Sequence, residues 1–104
     1  MEKRNPTFDL EALQAAFSDA NTLNRTTTAK RSATALGFNA NDIVAIIQSI
    51  RRDHFYKSMT SHANHDMWQD VYFVPSSAGV LYVKFTMSKD GFLLLSFKEK
   101  DNDE

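Results

Sequence analysis

Aromatic rings and ammonium groups recur on one beat of the C-terminal half. The rings are those of Trp68, Tyr72 and Tyr82, and the ammonium groups belong to Lys84 and Lys98. A ring offers a face on which an unpaired base or another planar group stacks. An ammonium offers charge and hydrogen bonds to phosphate or carboxylate oxygens. Asp70 and Ser96 share the beat, and a cross-strand ion pair between Asp70 and Lys84 is the expected use of those two charges. Trp68 and Tyr72 have two open readings, stacking a ligand or covering a half-exposed surface. His62 and His65 form a His-x-x-His pair without any accompanying ligand pattern, so no zinc site is read there. The chain has no cysteine, which excludes disulfides, thiolate zinc sites and a thiol nucleophile.

Strands must position these groups. Segments 68–74, 80–87 and 92–98 alternate apolar and polar residues, and alternate side chains of a strand point to opposite faces. Reading Lys89-Asp90-Gly91 as a three-residue loop pairs Tyr82 with Lys98, Lys84 with Ser96 and Thr86 with Leu94. Reading 75–79 as a five-residue loop pairs Tyr72 with Tyr82 and Asp70 with Lys84. One face then carries Trp68, Asp70, Tyr72, Tyr82, Lys84, Ser96 and Lys98. The apolar face carries Val71, Phe73, Leu81, Val83, Phe85, Met87, Leu93, Leu95 and Phe97. Segment 55–60 is a further candidate strand and 61–67 a polar loop.

The N-terminal half reads as helical. Asp9 caps a stripe of Leu10, Leu13, Phe17 and Ala20 that runs to about Asn21. Three threonines at 26–28 cap a short helix over 29–36, with Gly37 as its left-handed terminator. Asn39 and Asp42 start a third helix, which buries Ile43, Ile46, Ile47 and Ile50 and places Arg51 and Arg52 at its C-terminal end. Helices followed by an antiparallel meander predict an α+β domain whose helices cover the oily face of the sheet.

At 104 residues and 42% hydrophobic content, residues 1–100 are expected to form one domain. Net charge is −1, which excludes a globally basic nucleic-acid binder. Three of the 13 acids lie in 101–104, read as a solvated, disordered tail, which leaves 10 against 12 Lys and Arg; any anion site is local. The first residues contain no apolar leader stretch and no run suits a membrane span, so a cytoplasmic protein without membrane contact is expected.

The strings Asp53-His-Phe-Tyr-Lys-Ser-Met-Thr60, Trp68-Gln-Asp-Val-Tyr72, Leu81-Tyr-Val-Lys84 and Ser96-Phe-Lys-Glu-Lys100, with Met1-Glu-Lys-Arg4 and Pro6, resemble the MqsR toxin family, the motility quorum-sensing regulators. The resemblance covers nearly the whole chain and is strongest from residue 53 onward. It implies a RelE-like fold and an mRNA endoribonuclease that cuts at GCU-type sites without a metal or other cofactor. It also implies an MqsA-type antitoxin partner, with any zinc belonging to that partner. Carried onto matching motifs, it implies Lys57, Gln69 and Tyr82 as catalytic residues assisted by Lys98. Lys84, Trp68, Tyr72 and His65 are then candidate RNA contacts. Strand parity puts Gln69 on the apolar beat, so a bulge or strand end is expected near residues 68–70.

Metal-free RNA cleavage uses the ribose 2′-hydroxyl as nucleophile. The protein must move that proton, stabilise charge on phosphorus and protonate the leaving oxygen. Lys57 and Lys98 supply charge, Tyr82 donates or shuttles a proton, and Gln69 orients the ribose or a base edge. An ordinary lysine titrates near pH 10.4, and bringing that to neutrality costs roughly 4 kcal/mol, so the electrostatic role is favoured. Two other classes stay open: a non-catalytic RNA- or protein-binding module using the same face, and a silenced relative whose acidic tail repels RNA.

Overall fold

The computed structural model describes residues 1–103, and in it the alternating segments assemble into one antiparallel sheet. Its strands are β1 (Glu2–Lys3), β2 (Phe55–Thr60), β3 (Trp68–Ser76), β4 (Gly79–Ser88) and β5 (Gly91–Glu99), in that spatial order. Between β1 and β2 the chain forms α1 (Leu10–Ala16), α2 (Thr27–Ala35) and α3 (Ala40–Ser49). This is the expected α+β class. The helices cover one face, burying Leu13, Phe17, Ala29, Ala33, Ile43 and Ile47 against Tyr72, Val74, Leu81, Val83, Phe85, Leu94 and Phe97. Among the described residues no helix is long and apolar enough to cross a membrane. Asp101, Asn102 and Asp103 are exposed after β5, and Glu104, the last residue of the expected acidic tail, lies outside the described residues.

The capping signals act as predicted. Asp9 accepts the Ala12 N–H at 3.1 Å, and Thr26 accepts the Ala29 N–H at 3.1 Å. Asn39 and Asp42 exchange 2.9 Å hydrogen bonds in a capping box. Gly37, at φ 87°, ends α2: its N–H bonds to Thr34 while the Phe38 N–H reaches back to Ala33. The first helix is shorter than its stripe, stopping at Ala16. There the Ser18 hydroxyl bonds to the Ala15 carbonyl and Asp19 caps a separate 3-10 turn, Ala20–Thr22, so side chains compete with helix continuation. Arg51 pairs with Asp53 at 3.1 Å rather than with the end of α3.

The β3–β4 hairpin is tighter than expected. Ser76 pairs with Gly79, so the turn is Ser77-Ala78 and β3 runs on through Pro75. Pro75 is tolerated because β2 ends opposite Tyr72, which leaves no neighbour there to need its missing N–H. Register therefore shifts by one: Phe73 faces Tyr82, Val71 faces Lys84, and Gln69 faces Thr86. The β4–β5 hairpin has the same form: Ser88 lies opposite Gly91, so the turn is Lys89-Asp90 rather than three residues, and Thr86 faces Leu93 instead of Leu94. In both, the serine hydroxyl bonds to the glycine carbonyl, and the glycines sit at φ 92° and 108°. Tyr82 opposite Lys98 and Lys84 opposite Ser96 stand as predicted, but a bulge at Leu95 then pairs Phe85 with Leu94. Leu94 is consequently buried in place of Leu93 and Leu95, while Met87 is 44% exposed rather than in the core.

One interaction ties the segment before α1 to the sheet. Asp70 is fully buried on the helix-covered face and accepts the N–H groups of Thr7 at 3.0 Å and Phe8 at 2.9 Å. The Thr7 hydroxyl also meets that of Ser58 at 2.7 Å. Asp70 therefore makes no cross-strand pair with Lys84, which projects from the other face. Removing the carboxylate strands two donors in the interior. Asp70→Ala should lower the unfolding free energy by about 2–5 kcal/mol in denaturant titrations. A loss below about 1 kcal/mol would mean that the segment is held by something else.

Candidate active site on the open face of the sheet

The register fixes which side chains share the face away from the helices. Burial of Tyr72, Asp70 and Val74 against the helices puts Gln69, Val71 and Phe73 of β3 on the open side. From β4 come Tyr82, Lys84 and Thr86, from β5 Ser96 and Lys98, and from β1 Glu2, whose neighbour on β2 is Met59. Gln69 thus needs no bulge of its own. The bulge lies on the next strand instead: Phe55 pairs with Tyr72 and Lys57 with Val71, which leaves Tyr56 as the extra residue. Phe55 packs edge-on to Tyr72 on the helix side, whereas Tyr56 stacks on Phe73 on the open side. Both Tyr56 and Lys57 therefore reach the same face.

An aromatic row results. Tyr56 and Phe73 stack at 4.3 Å and 21°, and Phe73 lies 6.1 Å from Tyr82. Ammonium groups decorate it. Lys98 lies 5.0 Å from the Tyr82 ring centre, Lys84 6.0 Å from the same ring, Lys100 5.2 Å from Phe73, and Lys57 5.2 Å from Tyr56. Each is within cation–π range, which fixes long flexible side chains over a rigid base. Tyr82 itself is 9% exposed, its ring walled in by these neighbours. Lys57 also makes a 2.9 Å ion pair with Glu2. That hydrogen bond and the charge of Lys57 hold the Glu2 carboxyl below its ordinary range.

Of the residues singled out from sequence, Tyr82, Lys84 and Lys98 are gathered at one spot, and Lys57 and Gln69 flank it on the same face. Lys57 and Lys98 stand on β2 and β5, three strand spacings of about 4.8 Å apart at the backbone. Tyr72 is not on this face. It is 1% exposed in the core between Phe55 and Phe85, so it stacks no ligand. Trp68 shares the helix-side beat with Asp70, and the Lys3 ammonium sits 4.1 Å over its ring, so it too leaves the platform. His65 is exposed in the loop 61–67 beyond the strand ends. Sequence reasoning missed Tyr56, Phe73, Lys100 and Glu2. The matched Ser-x-x-Gly turns were a signal that would have corrected the β3 register and recovered Phe73. A cleft of about 510 Å3 between residues 5–11 and Arg52 contains none of these residues.

Comparison with known proteins shows the family. A family profile described as "Motility quorum-sensing regulator, toxin of MqsA" matches residues 5–99. The chain belongs to the MqsR toxin family. It is 36% identical over 100 residues to "mRNA interferase toxin MqsR" of Escherichia coli (strain K12), covering 96% of this chain and 100% of that protein. Within this MqsR-family chain the match spans β2 to β5, and so every strand of the platform except β1.

The buried phenol supplies a test of the corrected register. Burial, and secondarily the Asp70 carboxylate, push Tyr72 up to about 12 from an ordinary 10.0. An unfolded tyrosine ionises first, so the stability Tyr72 contributes is complete below pH 10 and is lost as pH rises from there to about 12. Thermal melts across this range should fall more steeply for the natural chain than for Tyr72→Phe. Parallel curves would contradict a core position.

Proposed function

We propose that this chain is the toxin of a type II toxin–antitoxin pair, a metal-independent endoribonuclease that cuts mRNA at GCU-type sites and so arrests translation and growth. The observation that carries the reading is the convergence of Tyr82, Lys98 and Lys84 over an aromatic row flanked by Lys57 and Gln69. Membership of a family whose E. coli relative is called an mRNA interferase supports it.

Each group has a task matched to its place. RNA carries its own nucleophile, so the protein needs to supply charge and a proton path. Lys98 and Lys84 beside the Tyr82 ring stabilise the extra negative charge on phosphorus, work that a divalent cation does elsewhere. Tyr82 donates a hydrogen bond or relays the proton to the leaving 5′-oxygen. Lys57 grips phosphate on the β2 side, and Gln69, one row along β3, orients the ribose or a base edge. Tyr56 and Phe73 give unpaired bases a surface to stack on, worth roughly 1–3 kcal/mol per base. An MqsA-type antitoxin docks on a sheet edge or helix without adding catalytic groups, and zinc, where present, belongs to that partner.

The test is cleavage of a GCU-containing RNA in the presence of a chelator. Tyr82→Phe, with an unchanged melting temperature, should lower the rate by roughly 10²–10⁴. Lys57→Arg should stay within about ten-fold of the natural chain if charge suffices, because arginine keeps the charge but gives up no proton. RNA binding without any scission would overturn the nuclease reading in favour of a binding module. Growth arrest on expression, relieved by co-expressing the antitoxin, is the expected cellular result.

A further inference from the structure

A carboxylate is out of place on a surface built to receive phosphates, yet Glu2 is on this one. It reaches the open face from the two-residue edge strand, which is anchored by the bond from the Thr60 N–H to the Met1 carbonyl at 2.9 Å. Its Oε1 lies 2.9 Å from the Lys57 ammonium. The Lys57 side chain is 22% exposed and that of Glu2 61%, so the lysine is mostly sheltered while the glutamate opens to solvent. The remaining platform lysines rest on rings.

We infer that the Glu2 carboxylate fills an RNA phosphate subsite: it holds Lys57 in the RNA-free protein and is displaced when a phosphate oxygen takes its place. The inference rests on the RNA-cleaving reading above and assigns one position of its substrate. An ion pair whose carboxylate is open to water is weak, so exchange for a phosphate costs little. Carboxylate and phosphate oxygens offer an ammonium the same acceptor geometry. While Glu2 is in place it cancels the charge of Lys57, and binding must undo that pairing. The carboxylate thus lowers affinity for RNA while keeping the lysine chain extended and ready.

The experiment measures binding of a GCU-containing oligonucleotide with 2′-fluorine in place of every 2′-hydroxyl, which cannot be cut. Glu2→Gln, which is isosteric on an exposed edge, should tighten binding by about three- to ten-fold. It should also steepen the dependence of log affinity on log salt by about 0.7, the value of one further phosphate contact. In a Lys57→Gln background the same change should gain less than about two-fold. Unchanged or weaker binding by Glu2→Gln overturns the inference. So does a gain that persists without Lys57, since that is long-range repulsion rather than exchange. A natural chain that neither binds nor cuts RNA removes the parent reading and the inference with it. A natural chain that cuts, beside a Glu2→Gln variant of unaltered affinity, removes the inference alone.

Discussion

A pleated strand cannot present two successive side chains on one face, and the open face of this sheet uses both Tyr56 and Lys57. The bulge at Tyr56 resolves the conflict by adding one residue between Phe55, committed to the core beside Tyr72, and Lys57, committed to the platform opposite Val71. A second bulge, at Leu95, does the complementary work on β5. It lets Lys98 and Ser96 face outward beside Tyr82 and Lys84 while Leu94 points inward beneath Phe85. Without these two extra residues the helix-side packing and the outer chemistry would demand opposite registers.

Rigidity of the outer face comes from what lies behind it. Each platform residue on β3 alternates with an anchor: Gln69 and Val71 flank Asp70, and Val71 and Phe73 flank Tyr72. Asp70 fastens the segment before α1, and Tyr72 fills the core between Phe55 and Phe85. On the other edge a single threonine couples helix to sheet. The Thr26 N–H bonds to the Leu94 carbonyl, and its hydroxyl bonds to the Leu95 carbonyl while accepting the Ala29 N–H at the start of α2. The bulge is thus buttressed by the residue that caps the helix packed against it.

Much of this was legible in the chain, and each failure has a physical reason. Helix starts at Asp9, Thr26 and Asn39 were readable because capping is local chemistry. Tyr82 opposite Lys98 comes out as expected because the bulge at Leu95 restores the residue that the shorter Lys89-Asp90 turn removes. The faces of β3 were inverted because Trp68, Asp70 and Tyr72 look polar, yet a buried carboxylate bonded to two N–H groups and a buried phenol suit a core as well as a surface. Identity alone does not separate these cases; turn length does, and the Ser76–Gly79 turn was counted too long. A two-residue strand such as β1 has no period to read, so Glu2 could be reached only through its contact with Lys57.

Electrostatics explains how a chain of net charge −1 gathers cations on one face. The cations over the aromatic row are concentrated by position, while acids such as Asp70, Asp9 and Asp42 accept backbone N–H groups elsewhere. A ring quadrupole attracts an ammonium without neutralising it, so the contacts of Lys98 with Tyr82 and of Lys100 with Phe73 order those side chains at no cost in charge. An ion pair orders and neutralises together, and Lys57 is the platform lysine held that way. The surface therefore holds its lysines by two kinds of contact. That difference follows from whether the lysine rests on a ring or on a carboxylate.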